Sequence, residues 1–97
     1  MIRVLIIDDE RLARAELRRL LVAHAEIEIV GEAANIEEAK RAIDDLQPDL
    51  IFLDVQMPGG SGFDLLASLD DAPEVIFTTA FDAYALKAFE VNALDYL

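Results

Sequence analysis

Three nearly unbroken apolar runs, Ile2–Ile7, Leu50–Leu53 and Val75–Phe77, constrain the fold more than any other feature of this chain. A strand with one wet face alternates apolar and polar residues. These runs do not alternate, and they stop at polar or turn residues, so each reads as a strand covered on both faces. Glu28–Ala33 alternates more and reads as an edge strand, and 93–97 as the opening of a fifth strand. Helical spacing fills the intervals. In residues 10–23, Leu12, Leu17, Leu20 and Leu21 with Ala13 and Ala23 make an apolar stripe with arginines opposite. Over 36–46, Ile36, Ala39, Ile43 and Leu46 recur at three- and four-residue spacings, and Asn35 is placed to cap them with Glu38 three positions on, as in a capping box. A short helix is predicted from Ser61 or Gly62 to Leu69, and another from Asp82 to about Val91. Pro48, Pro58 and Pro73 fall in connections, where a missing N–H does least harm. Alternating strands and helices imply a single α/β domain, with a parallel sheet covered on both faces by right-handed crossovers.

In such sheets ligands bind beyond the carboxyl ends of the central strands, where the strand order reverses. The first strand ends in Asp8-Asp9 and the third in Asp54. If those strands are neighbours, three carboxylates share one concavity. Like charges that close oppose joint ionisation, and a divalent cation removes the conflict. Oxygen donors without imidazole or thiolate favour Mg²⁺ or Mn²⁺ over zinc. A carboxylate can also serve as a covalent nucleophile toward phosphorus, given a cation and donors for the phosphoryl oxygens. Thr79, just after Val75–Phe77, is a candidate donor, and the glycines of 57–62 let backbone approach the site. Each residue alone has a plainer reading: Asp9 as a helix cap, Asp54 as a turn residue, Thr79 as a strand-end hydroxyl. Their recurrence at the ends of successive strands favours the joint site. His24, the one histidine, is expected near a helix C-terminus, interacting with its dipole.

Charge excludes some functions. The formal net charge is −12, which argues against a nucleic-acid surface on this domain. Residues 1–24 hold five arginines against four acids (net +1), and 25–97 hold three basic groups against sixteen acids (net −13). The first helix is thus the one basic feature, read first as a solvated face and second as a dock for an acidic partner. There is no cysteine for disulfides or thiolate zinc sites, which suits a cytoplasmic protein. The opening apolar run is too short for a signal peptide, and nothing approaches the ~18–20 apolar residues of a membrane span.

Asp8-Asp9 after a buried strand, Asp54-Val55-Gln56-Met57-Pro58 with Gly62 beyond, and Thr79-Ala80 after the fourth strand together resemble the response-regulator receiver family. The resemblance spans the whole chain. It implies a flavodoxin-like fold with strand order 2-1-3-4-5. It also implies that Asp54 is the phosphoacceptor and that Asp9, Asp54 and the backbone carbonyl of Gln56 hold Mg²⁺, with Asp8 acting through water. Thr79 would bind the phosphoryl group and Tyr96 would be the aromatic whose rotamer follows it. The segments 77–82, 84–90 and 93–97 are similar to receivers joined to LytTR-type DNA-binding domains. The implied partners are a histidine kinase and a second copy in a homodimer. DNA binding would fall to a separate C-terminal domain, and there would be no membrane contact. The chain would be a switch rather than an enzyme, at most catalysing its own phosphorylation and dephosphorylation.

Receivers also place a Lys-Pro pair, and one more helix, after the position of Leu97; Lys40 and Lys87 match neither. The expectation is therefore a receiver domain over 1–97, incomplete at its C-terminus. It would be either a fragment of a longer regulator or a short receiver that completes its fold with a partner, and the apolar edge so exposed predicts self-association. One rival is a receiver fold used only for phosphorylation-independent dimerisation. Another is an aspartate-nucleophile phosphatase, but Gln56 stands where that class carries a second aspartate. A dinucleotide-binding domain is weaker, since Asp8-Asp9-Glu10 stands where a glycine-rich loop belongs.

Overall fold

A computed structural model describes residues 1–57, 60–78 and 93–96, with Gln56 and 93–96 described as backbone. Strands β1 (Ile2–Ile7), β2 (Ile27–Ala33), β3 (Leu50–Leu53), β6 (Glu74–Phe77) and β7 (Ala93–Tyr96) form one sheet in the order β2-β1-β3-β6-β7. All pair in parallel. Two further strands, β4 (Gln56–Met57) and β5 (Gly60–Ser61), make a separate antiparallel hairpin. Leaving that hairpin aside, the five sheet strands follow the expected flavodoxin-like order 2-1-3-4-5, and β2 is the edge strand its alternation suggested.

The apolar runs work as read. Along β1, Val4 and Ile6 point into one core while Leu5 and Ile7 point into the other, and β3 divides Leu50 and Phe52 from Ile51 and Leu53 in the same way. Both sets must be apolar because both faces are covered. The chain steps one way from β1 to β2 and back again from β2 to β3. Right-handed crossovers therefore put the intervening helices on opposite faces. Helix α1 (Arg11–Leu21) packs Leu17 and Leu21 against Val4, Ile6, Leu50 and Phe52. Helices α2 (Ile36–Leu46) and α3 (Gly62–Ala67) close the larger core on the other face, where Ala39, Ile43, Leu65 and Leu66 meet Leu5, Ile51, Val75 and Phe77.

Helix ends follow local chemistry. The Asn35 side chain accepts the Glu38 N–H at 2.8 Å as expected, but the Glu38 carboxylate returns to the Ala34 N–H (3.0 Å), one residue before the cap. A reciprocal capping box forms instead at α3, between Ser61 and Asp64. That helix ends at Ala67 rather than Leu69, because the Ser68 hydroxyl and N–H take up the terminal carbonyls, Leu65 O among them at 2.7 Å by the hydroxyl. Helix α1 begins after Glu10, which makes no side-chain cap bond, so Asp9 is not its cap. The expected helix from Asp82 to Val91 lies outside the described residues.

Candidate functional site

The parallel register sets Ile7 opposite Leu53, so the next residues of β1 and β3, Asp8 and Asp54, leave the sheet side by side. Backbone bonds carry the ladder one step further: the Asp8 N–H donates to Ala33 O at 3.0 Å and the Asp54 N–H to Ile7 O at 3.0 Å. Asp8, Asp9 and Asp54 each offer a carboxylate oxygen within 4.8 Å of the others. This is the point where the strand progression reverses, and hence the crevice that ligands use in doubly wound sheets. Asp8 and Asp54 are half-buried and Asp9 is exposed, so the cluster opens to solvent on one side.

Bringing three carboxylates together has an electrostatic cost. Burial pushes the Asp8 carboxyl above its ordinary value, and the negative charges of Asp9 and Glu10 push it the same way, against the hydrogen bond it accepts from the Glu10 N–H at 2.9 Å. A hard divalent cation would reverse that cost. An all-oxygen set, partly open to water, is the chemistry Mg²⁺ takes, since it keeps several waters in its octahedron.

The segment after Asp54 is drawn tightly back against the end of β3. Hairpin β4–β5 turns the chain back, and the Gly62 N–H donates to Val55 O at 2.6 Å. A Cβ at Gly62 would lie 2.7 Å from the backbone oxygen of Asp54 and 3.0 Å from Leu53 Cγ. Glycine is required here by close approach, as expected for this loop. The hairpin itself escaped sequence reading, because two-residue strands are too short to show a period.

A further group at the site went unread in the sequence. Arg14 donates from Nη1 to Asp8 O at 2.6 Å and from Nε to Glu32 at 3.0 Å, and Arg18 donates to the other Glu32 oxygen at 2.8 Å. Burial alone would raise the Glu32 carboxyl, but these two guanidiniums outweigh it and hold it below the ordinary value. The basic stripe of α1 is thus largely consumed within the fold, Arg19 pairing with Glu16. The available signal was the four-residue spacing of Arg14 and Arg18 opposite an acid on a neighbouring edge strand. His24 follows α1: its backbone N–H donates to Leu21 O at 2.9 Å, and its imidazole Nδ1 lies 3.6 Å from a Glu26 carboxylate oxygen. Thr79 lies outside the described residues. Tyr96 is placed as backbone only, opposite Phe77 on β7, and Gln56 likewise on β4.

A doubly wound sheet of this order, with an acidic crevice at its switch point, is the flavodoxin-like architecture that receiver domains share. The model of the response regulator receiver domain matches residues 4–97, and the chain belongs to that family. It is 56% identical over 99 residues to the transcriptional regulatory protein BtsR of Salmonella typhi and 46% identical over 100 residues to the sensory transduction protein LytT of Bacillus cereus. Each match covers all of this chain and 41% of the relative, so the chain spans about two-fifths of the length of these curated relatives. Relatives of LytT and BtsR type accord with the resemblance to LytTR-linked receivers. Among solved structures, the response regulator TrrA of Thermotoga maritima, in complex with Mg²⁺-BeF, superposes with a TM-score of 0.86 at 31% identity, over 100% of this chain and 85% of that one. Among the described residues, no helix is long and apolar enough to cross a membrane.

Proposed function

We propose that this chain is the phosphoacceptor switch of a two-component system, with Asp54 receiving a phosphoryl group from a histidine kinase. The observation that carries the reading is the convergence of Asp8, Asp9 and Asp54 within 4.8 Å at the reversal of strand order. A carboxylate oxygen of Asp54 attacks phosphorus in line with the bond to the kinase imidazole. That bond breaks and its electron pair stays on the nitrogen. Asp9, Asp54 and the Gln56 carbonyl would hold Mg²⁺, with Asp8 acting on it through water, and the ion when bound supplies charge neutralisation for the phosphoryl oxygens. Gly62 and the β4–β5 hairpin keep backbone close to Asp54. Thr79 would take a phosphoryl oxygen, and Tyr96 would repack with it on β7.

The output is a change in homodimerisation, and through a separate domain of a longer regulator, DNA binding in the cytoplasm. Moving such a switch from 1:99 to 99:1 requires about 5.5 kcal/mol of differential stabilisation. Charge-assisted hydrogen bonds to a dianionic phosphoryl group, with the cation, are of the right size. Intact mass after incubation with acetyl phosphate tests the reading. One phosphoryl adduct is expected, requiring both Mg²⁺ and Asp54 and absent in Asp54→Asn. A folded chain that gains no adduct, here and when extended past Leu97, would leave the phosphorylation-independent dimerisation module in its place.

A further inference from the structure

Asp8 is held by three bonds from two neighbouring elements, β2 and α1. Its N–H bonds to Ala33 O at the end of β2, its carboxylate accepts the Glu10 N–H at the start of α1, and its carbonyl accepts Arg14 Nη1 at 2.6 Å. The third bond is the informative one. The Asp8 carbonyl belongs to the peptide unit joining Asp8 to Asp9. The orientation of that plane determines where both carboxylates leave the backbone. Arg14 is itself anchored: its Nε is taken by Glu32 at 3.0 Å, and its side chain is only 15% exposed. Arg18, one turn further along α1, holds the second Glu32 oxygen.

From this we infer that Arg14 is a positioning residue for the acidic site, fixing the Asp8–Asp9 peptide through the chain Glu32–Arg14–Asp8 O. The inference rests on the reading of Asp8, Asp9 and Asp54 as a cation site. A guanidinium suits the task because its planar fork reaches a carboxylate and a carbonyl together, which an ammonium on a flexible stem does not reproduce. It also leaves the Asp8 and Asp9 carboxylates out of its own bonding, since the Asp8 contact is to the carbonyl. Partners that orient first ligands typically change metal affinity by about 10–100-fold when removed.

Arg14→Lys, Arg14→Gln and Arg18→Gln separate positioning from mere packing. Arg18 shares the Glu32 pair but makes no bond to the Asp8 carbonyl, so Arg18→Gln is the structural control. Two measurements are made on each folded chain: Mg²⁺ affinity by calorimetry, and amide hydrogen exchange at Asp9 and Glu10 without metal. Both Arg14 variants are expected to bind Mg²⁺ on the order of tenfold more weakly and to exchange faster at those amides. Arg18→Gln should stay within about twofold of the parent in both. Parental affinity and parental exchange in Arg14→Gln, or weakening of the same size in Arg18→Gln, would overturn the inference. A parent chain that binds no Mg²⁺ overturns the cation reading instead. The exchange data then decide the role of Arg14 alone: faster exchange in Arg14→Gln upholds its hold on the peptide, and unchanged exchange refutes it.

Discussion

At the scale of single residues, the tightest constraint near Asp54 falls on a residue with no side chain. Gly62 brings its backbone against Asp54, and any Cβ there would meet the Asp54 carbonyl oxygen at 2.7 Å and Leu53 Cγ at 3.0 Å. The first obstacle is backbone at the end of a central strand, which cannot rotate aside as a flexible side chain would. Gly62→Ala is therefore expected to destabilise the domain by about 1–3 kcal/mol, the range for overpacking a tight site. In a chain this size that lowers the melting temperature by roughly 4–8 °C per kcal/mol. Displacement of Asp54 should also slow its phosphorylation by acetyl phosphate. A variant that melts with the parent and is phosphorylated at its rate would show that the Asp54 backbone yields freely. The need for glycine was legible in the sequence as a loop that must approach closely; the atom it approaches was not, because that depends on how the hairpin folds back.

At the scale of elements, α1 and β2 are joined by charge as well as by packing. Glu32 is an exposed acid of the edge strand β2, and Arg14 and Arg18 meet it from one face of the helix. Its carboxyl lies below the ordinary value of 4.5 because the folded state favours the charged form. The folded chain therefore binds that proton less readily than the unfolded chain. The stabilisation is complete above the unfolded value and fades as pH falls through the lowered folded value. The pair is partly solvated, so its contribution is about 0.5–1 kcal/mol. Urea titrations of Glu32→Gln and the parent should differ by about that amount at neutral pH and converge in acid, once the pH has fallen below the lowered folded value. A gap that persists unchanged into acid would mean that the substitution disturbs packing rather than charge. This coupling shows where sequence reading stopped. The three strand cores were legible because burial on both faces leaves a run without polar residues, and α2 because its stripe and its Asn35 cap agree. Which arginine of α1 meets which acid depends on the register of two elements that only tertiary packing sets.

At the scale of the whole molecule, the described helices divide unequally between the two faces of the sheet. Among the described residues, helices α2 and α3 close the larger core and α1 lies over the other, beside a cavity of about 280 Å³ lined by Leu17, Leu20 and Phe52 among others. Leu12 is 72% exposed and Leu20 53% exposed on that helix. The strand order set where this face would lie, but that Leu12 and Leu20 of the α1 stripe stay exposed depends on how the helix packs, which the spacing did not show. Two effects then compete between copies of the chain. Each leucine removed from water favours association by about 1.5–3 kcal/mol. The net charge of −12 opposes it, though least at α1, where the first 24 residues sum to +1. Salt screens repulsion over about 10 Å at 0.1 M and leaves apolar burial in place, so it should tip the balance toward association. Sedimentation equilibrium of this chain should therefore show self-association that strengthens with ionic strength, and Leu12→Lys combined with Leu20→Lys should weaken it by about tenfold or more. Association that instead weakens with salt and ignores both leucines would point to an ionic contact elsewhere on the acidic surface, and self-association would then not run through α1.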